Sequence, residues 1–197
     1  MEDSGNDSEP SQRPPSNRRV ARRRTHRRTG PFNPALVGLA AHEIIGQLCA
    51  EGLRTPDFAT VSAAVRAHAV LQAPTTPRQA AWQWLCSCAS VYFRLFAPAA
   101  EWLFVGAEVA VPGSCLDLVW RNVESGEVMA DELKSGIPGF ISEVNLNDQI
   151  ARQLSGARET YGAAFAGIRV ILLSAPARSF FAGATGTRET IGGSHAN

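Results

Sequence analysis

Lysine is almost missing from this chain: of its 19 lysine and arginine residues, only Lys134 is a lysine. Lysine is ordinarily among the commonest residues, so whatever bias placed arginine at the other basic positions spared this one. Long apolar runs are missing too. No stretch reaches the roughly 18 consecutive apolar residues of a membrane helix, so no membrane span is expected. The N-terminal region is polar and acidic, and the first apolar run starts near Phe32, which predicts no secretory leader. Cysteine offers no CxxC pair. Cys49, Cys86, Cys88 and Cys115 fall mostly in apolar segments, which argues against zinc or disulfides and for buried thiols in a reducing, cytoplasmic compartment. The net charge of +1 selects no partner by itself.

What is there is unevenly distributed. Eight arginines crowd between Arg13 and Arg28, in a segment rich in Ser, Pro, Asn and Asp without periodic apolar residues. Residues 1–33 therefore read as a disordered, arginine-rich tail. Its Arg18, Arg19, Arg22, Arg23, Arg24, Arg27 and Arg28 would suit the backbone phosphates of a nucleic acid, adding salt-dependent and sequence-independent affinity. A solvated charged tail explains them equally well.

Residues 34–181 read as one domain. Pro34 suits a first helical position, and Leu36, Val37, Ala40, Ile44, Ile45 and Leu48 recur at helical spacing, with Gly52 as the stop. A second helix is predicted over 57–71 and a third over 78–96. Strand patterning follows at 102–111, 115–120 and 127–134, the first two joined by the Pro112-Gly113-Ser114 turn. In the second strand Leu116, Leu118 and Trp120 are expected to face away from Asp117 and Val119. A helix fits 147–161. The apolar run 167–174 suits a strand buried on both faces, as in a parallel pairing reached through a helix. Residues 182–197, rich in Gly, Thr and Ser, read as a disordered tail. The expected fold class is α/β, with a mixed four-stranded sheet flanked by helices and extra helices at the N-terminal side.

Asp117 is an acid inside an otherwise apolar strand, LDLVW. Glu132 and Lys134 are two apart on the next strand and so share a face, while Asp131 points to the other side and is expected to be solvated. Two carboxylates on adjacent strands form a hard-oxygen site suited to Mg²⁺ or Mn²⁺. A lysine beside them can orient water or stabilise negative charge developing on a phosphate. As bland alternatives, Asp117 could pair with Arg121, and Glu132 with Lys134 could be a surface ladder pair.

Asp117, fourteen intervening residues and then Glu132-Leu133-Lys134 resemble the D…(D/E)xK signature of the PD-(D/E)XK nuclease superfamily, and the αβββαβ order is similar to the restriction-endonuclease-like core of that family. The segment Gly38-Leu39-Ala40-Ala41-His42-Glu43 resembles the G…H helix of its RecB-like branch. The resemblance implies a Mg²⁺- or Mn²⁺-dependent deoxyribonuclease of DNA repair or defence, with DNA as its partner and RNA left open. It implies metal ligation by His42, Asp117, Glu132 and the Leu133 carbonyl, with Glu43 competing with His42 for that place. Asp117, Glu132, Lys134 and Gln149 would be catalytic, supported by Glu108, Gln153 and Tyr161. The branch's QxxxY pattern is absent, and the cysteines lack the spacing of its iron–sulfur members, so no cluster is expected. The competing reading is a nuclease fold without catalysis, serving nucleic-acid binding or assembly.

Overall fold

The computed structural model describes residues 34–73, 76, 78–136 and 143–191. The arginine arm and the loop bearing Pro138 and Gly139 lie outside the described residues. Three helices come first: α1 (Pro34–Ala50), α2 (Phe58–Ala67) and α3 (Arg78–Leu95). They are followed by β1 (Trp102–Val111), β2 (Ser114–Asn122) and β3 (Val128–Lys134), then α4 (Glu143–Tyr161) and β4 (Phe165–Leu172). Two short strands, β5 (Phe180–Gly183) and β6 (Arg188–Thr190), are the last elements among the described residues.

Local chemistry explains the helix ends. After α1, the Gly52 N–H bonds the Cys49 carbonyl and the Leu53 N–H bonds the Leu48 carbonyl, the paired closure that needs a left-handed residue. Gly52 supplies it at φ 78°. Asp57 caps α2, accepting the Thr60 N–H at 2.7 Å. That helix is shorter than its sequence pattern. His68 turns extended, and a 3₁₀ turn over Ala69–Gln72 takes its place.

The sheet runs β1-β2-β3-β4-β5-β6 in order. The β1–β2 and β2–β3 pairs are antiparallel, α4 carries the chain across to a parallel β4, and β5 and β6 return antiparallel. The sheet thus has six strands where four were expected, and the chain from Ala182 to Thr190 is not a tail. β5 and β6 are held by their backbone ladder, and Arg188 covers the Phe180 ring at 3.6 Å. Strands of four and three residues, FFAG and the polar RET, are too short to show an alternation.

Two apolar layers sandwich the sheet. One packs α1, α2 and α3 on Leu118, Trp120, Leu133 and Ile171. The other packs α4 on Val119, Val128, Ala130, Ile168 and Val170. Leu116 belongs with Val119 in the second layer, not with Leu118. The alternation changes where β2 parts from β3, whose ladder ends at Leu118 and Asp131.

Asp131 is a second correction. It is fully buried, and accepts from Tyr92 Oη (2.8 Å), Trp120 Nε1 (3.0 Å), Arg169 Nε (2.7 Å) and Arg169 Nη2 (2.8 Å). The face opposite Glu132 is covered by helices, so an acid there needs partners instead of water.

Two glycines set α1 close to the sheet. A Cβ at Gly38 would stand 2.7 Å from Ser135 Oγ, and one at Gly46 would stand 2.9 Å from Ala107 Cβ. Positions 38, 42 and 46 follow one another at helical i, i+4 spacing, so the face that comes closest to the strands also carries His42.

Candidate metal centre

Asp117 lies just beyond the end of the β2–β3 ladder. Its Oδ2 accepts the Leu133 N–H at 2.7 Å, so a side chain takes the place of a strand carbonyl. The same oxygen is 3.3 Å from His42 Nδ1. Glu43, the alternative to His42, turns elsewhere: His68 Nε2 bonds its Oε2 at 2.7 Å.

On the other side of Asp117 stands β1. Ala107 pairs with Leu118 and Val109 with Leu116, so Glu108 and Asp117 face each other across the strands. Glu108 adopts φ 49°, a left-handed conformation that costs a non-glycine residue about 1–3 kcal/mol. The result is a triplet: ligand atoms of His42, Glu108 and Asp117 lie within 4.8 Å of one another. Two carboxylates held directly opposite each other repel. A divalent cation with ligand distances of about 2.0–2.5 Å reaches up to about 5 Å between opposite ligands, so the triplet fits one with small adjustments. Its oxygens and imidazole nitrogen suit a hard or borderline cation. Cys115, half-buried beside it, places its thiol 3.6 Å from Glu108 Oε2.

Burial opposes a charged His42, but the hydrogen bond it donates to Asp117 and the charges of Asp117 and Glu132 outweigh it, and the imidazole pKa is raised. A proton and a metal ion therefore compete for the same ring.

Glu132 does not join the triplet. Its side chain is turned towards α4, and it is only 2% exposed, so an unpaired charge would cost several kcal/mol. Lys134 Nζ (2.5 Å) and Gln149 Nε2 (2.7 Å) donate to Oε1, and Gln153 Nε2 (2.5 Å) donates to Oε2. Burial pushes the Glu132 pKa up and the charge of Asp117 adds to this, against the pull of Lys134 and Gln153. Gln149 Oε1 in turn accepts from Lys134 at 2.9 Å, and Gln153 Nε2 reaches the Cys115 carbonyl at 2.8 Å. Gln153 Oε1 is buried with no hydrogen-bond partner.

Gly156 seats this helix. A Cβ there would stand 2.3 Å from the Pro112 carbonyl oxygen in the β1–β2 turn. Tyr161 is not part of the arrangement. It ends α4, two helical turns beyond Gln153 and about 12 Å along the axis, where it stacks on Phe165 at 6.3 Å.

Among the expected residues, the fold therefore brings His42, Glu108, Asp117 and the Leu133 N–H together, and beside them Glu132, Lys134, Gln149 and Gln153. Sequence reasoning gives Glu108 only a supporting place beside Asp117, whereas its carboxylate stands among the ligand atoms, because the bend that aims it is a backbone property of a single residue. The thiols of Cys49 and Cys88 are pushed up to about 12 by burial and stay protonated.

No protein-family model matches the chain, and no curated relative matches it. A solved structure described as an EndoMS complex with dsDNA is similar to part of it: 22% identical, with a TM-score of 0.27, covering 37% of this chain and 27% of that one. A likeness of this extent does not define the fold or the chemistry, both of which rest on the arrangement described above. No helix among the described residues is long and apolar enough to cross a membrane.

Proposed function

We propose that the protein is a metal-dependent nuclease of the PD-(D/E)XK type that hydrolyses phosphodiester bonds in DNA. The observation that carries this reading is the convergence of His42, Glu108 and Asp117 within 4.8 Å, next to Lys134 on the neighbouring strand. His42, Glu108 and Asp117 would hold Mg²⁺ or Mn²⁺, with the Leu133 carbonyl as a further oxygen donor, while Glu132, held by Lys134, Gln149 and Gln153, would stand beside the ion and not on it. The bound cation would supply Lewis-acid stabilisation of a phosphate and lower the pKa of water.

The protein's own groups have separate tasks. Lys134 uses two of its three N–H donors on Glu132 and Gln149. The third is left to orient a water or to meet charge developing on a phosphate oxygen. Gln149 and Gln153 fix Glu132, and α4 fixes both glutamines. The arginine arm would add non-specific grip on the DNA backbone.

One observation favours the alternative of binding without cleavage: Glu132 is held by α4 residues away from the triplet. An assay separates the two. With Mg²⁺ or Mn²⁺ the purified protein nicks or degrades DNA, EDTA stops the reaction, and Asp117→Asn lowers its rate at least a hundredfold, a loss typical of removing a group that stabilises transition-state charge. Binding with no cleavage of any DNA or RNA form in either metal would establish the alternative.

The strained, like-charged pair also makes a thermodynamic prediction. In EDTA, Glu108→Gln raises stability by about 0.5–1 kcal/mol, or about 1–4 °C in Tm, because one of two opposed charges is gone. The same variant loses most of the Tm rise that Mn²⁺ gives the parent. Differential scanning fluorimetry with and without metal reads both. An unchanged metal response would remove Glu108 from the site.

A further inference from the structure

Most of the arginines with assigned contacts in the folded part are committed to structure. Arg169 is paired with Asp131, while Arg54 donates to the carbonyls of Pro98, Ala99 and Trp102 and lies 4.9 Å over the Trp120 ring. Arg66 and Arg78 differ. They line a hollow of about 410 Å³ formed by α2, the 3₁₀ turn and α3, together with Leu71, Gln72, Gln79 and Trp82. Among the described residues no carboxylate lines it and neither arginine forms an ion pair. Arg66 is steadied over the Trp82 ring at 5.5 Å, and Trp82 meets the Phe58 ring edge-on at 6.1 Å. Arg78 begins α3, where unpaired backbone N–H groups add partial positive charge. Two guanidinium groups and two primary amides around one hollow, without a counter-charge, are complementary to an anion.

A chain of contacts links the hollow to α1, the helix that carries His42. Glu43 follows His42 on α1 and accepts from His68 Nε2. His68 Nδ1 accepts the Val70 N–H at 3.2 Å, which leaves Nε2 as the protonated nitrogen. His68 stands between Arg66 and the 3₁₀ turn that supplies Leu71 and Gln72. We propose that this hollow is a second phosphate subsite, holding the sugar–phosphate backbone of the nucleic acid whose cleavage is proposed above. The inference rests on that reading.

The test is the double variant Arg66→Gln/Arg78→Gln, assayed with fluorescently labelled single-stranded and duplex DNA oligonucleotides of one sequence. In EDTA at low salt its affinity falls about tenfold. The plot of log K against log salt becomes shallower by about 1.8 on duplex or about 1.4 on single strands, as expected for two lost phosphate contacts. With Mg²⁺ or Mn²⁺, KM rises by a similar factor while kcat holds. Arg66→Lys/Arg78→Lys keeps most of the affinity, which separates lost charge from a disturbed fold. A parent that cleaves DNA, with a glutamine variant of unchanged affinity and salt slope, overturns the subsite alone. A loss in kcat with unchanged KM also overturns it. A parent that neither binds nor cleaves any DNA form overturns the nuclease reading and the subsite with it.

Discussion

Lys134→Ala lowers the rate of DNA cleavage about a hundred- to thousandfold, the usual cost of removing one group that stabilises transition-state charge. The metal-dependent rise in Tm survives, because Lys134 is not among the His42, Glu108 and Asp117 ligand atoms. That split distinguishes a lysine acting on water or phosphate from one that merely neutralises Glu132. Lys134→Arg is nearly as damaging. The ammonium fits between Glu132 Oε1 at 2.5 Å and Gln149 Oε1 at 2.9 Å, in a half-buried position at the end of β3. A guanidinium is planar and longer, and spreads its charge over a fork of donors. The chain's bias towards arginine stops at the position where arginine would serve least well. Single-turnover cleavage beside metal titration by fluorimetry checks the prediction. Equal activity in Lys134→Ala would end the catalytic assignment.

Asp131→Ala has the largest expected effect on stability. The carboxylate accepts four hydrogen bonds from Tyr92, Trp120 and Arg169, and none of it is exposed. Its removal leaves the 15% exposed Arg169 without a counter-charge and strands two buried donors. Breaking such a pair costs about 3–5 kcal/mol, or about 10 °C in Tm for a chain of this size. Urea denaturation measures it. The double variant Asp131→Leu/Arg169→Met recovers part of the loss, since an apolar pair avoids the unpaired charge. A cost below about 1 kcal/mol would mean that the pair behaves as a solvated surface contact.

Asp131 also marks where the sequence stops being legible. The order of strands and helices from Trp102 to Leu172 could be read because each element carries a periodic apolar pattern. Asp117, Glu132 and Lys134 could be read because acids and a lone lysine interrupt it. Asp131 looked solvated because period-two alternation sets it opposite Glu132 but does not say what covers that face. Its partners lie at 92, 120 and 169, separations that no local pattern links. Gly38 and Gly46 are ordinary helical glycines in sequence, and their use appears only when Ser135 and Ala107 arrive against them. The metal triplet depends on one backbone dihedral at Glu108, and β5 and β6 on ladder bonds between very short segments. In each case the determining contact is non-local or lies in the backbone.

Asp117 shows how far chemistry and architecture overlap here. One oxygen of its carboxylate closes the gap where β2 and β3 separate, so the strands are joined at that point by a side chain. The residue loses its rotational freedom when the chain folds, before any cation arrives, and the entropic cost of ordering that ligand falls on folding, not on binding. It follows that no substitution at 117 is purely chemical. Alanine would leave a strand amide without an acceptor, whereas asparagine can keep the acceptor while removing the charge. The part of the molecule proposed to cut a phosphodiester is thus also a seam of its sheet.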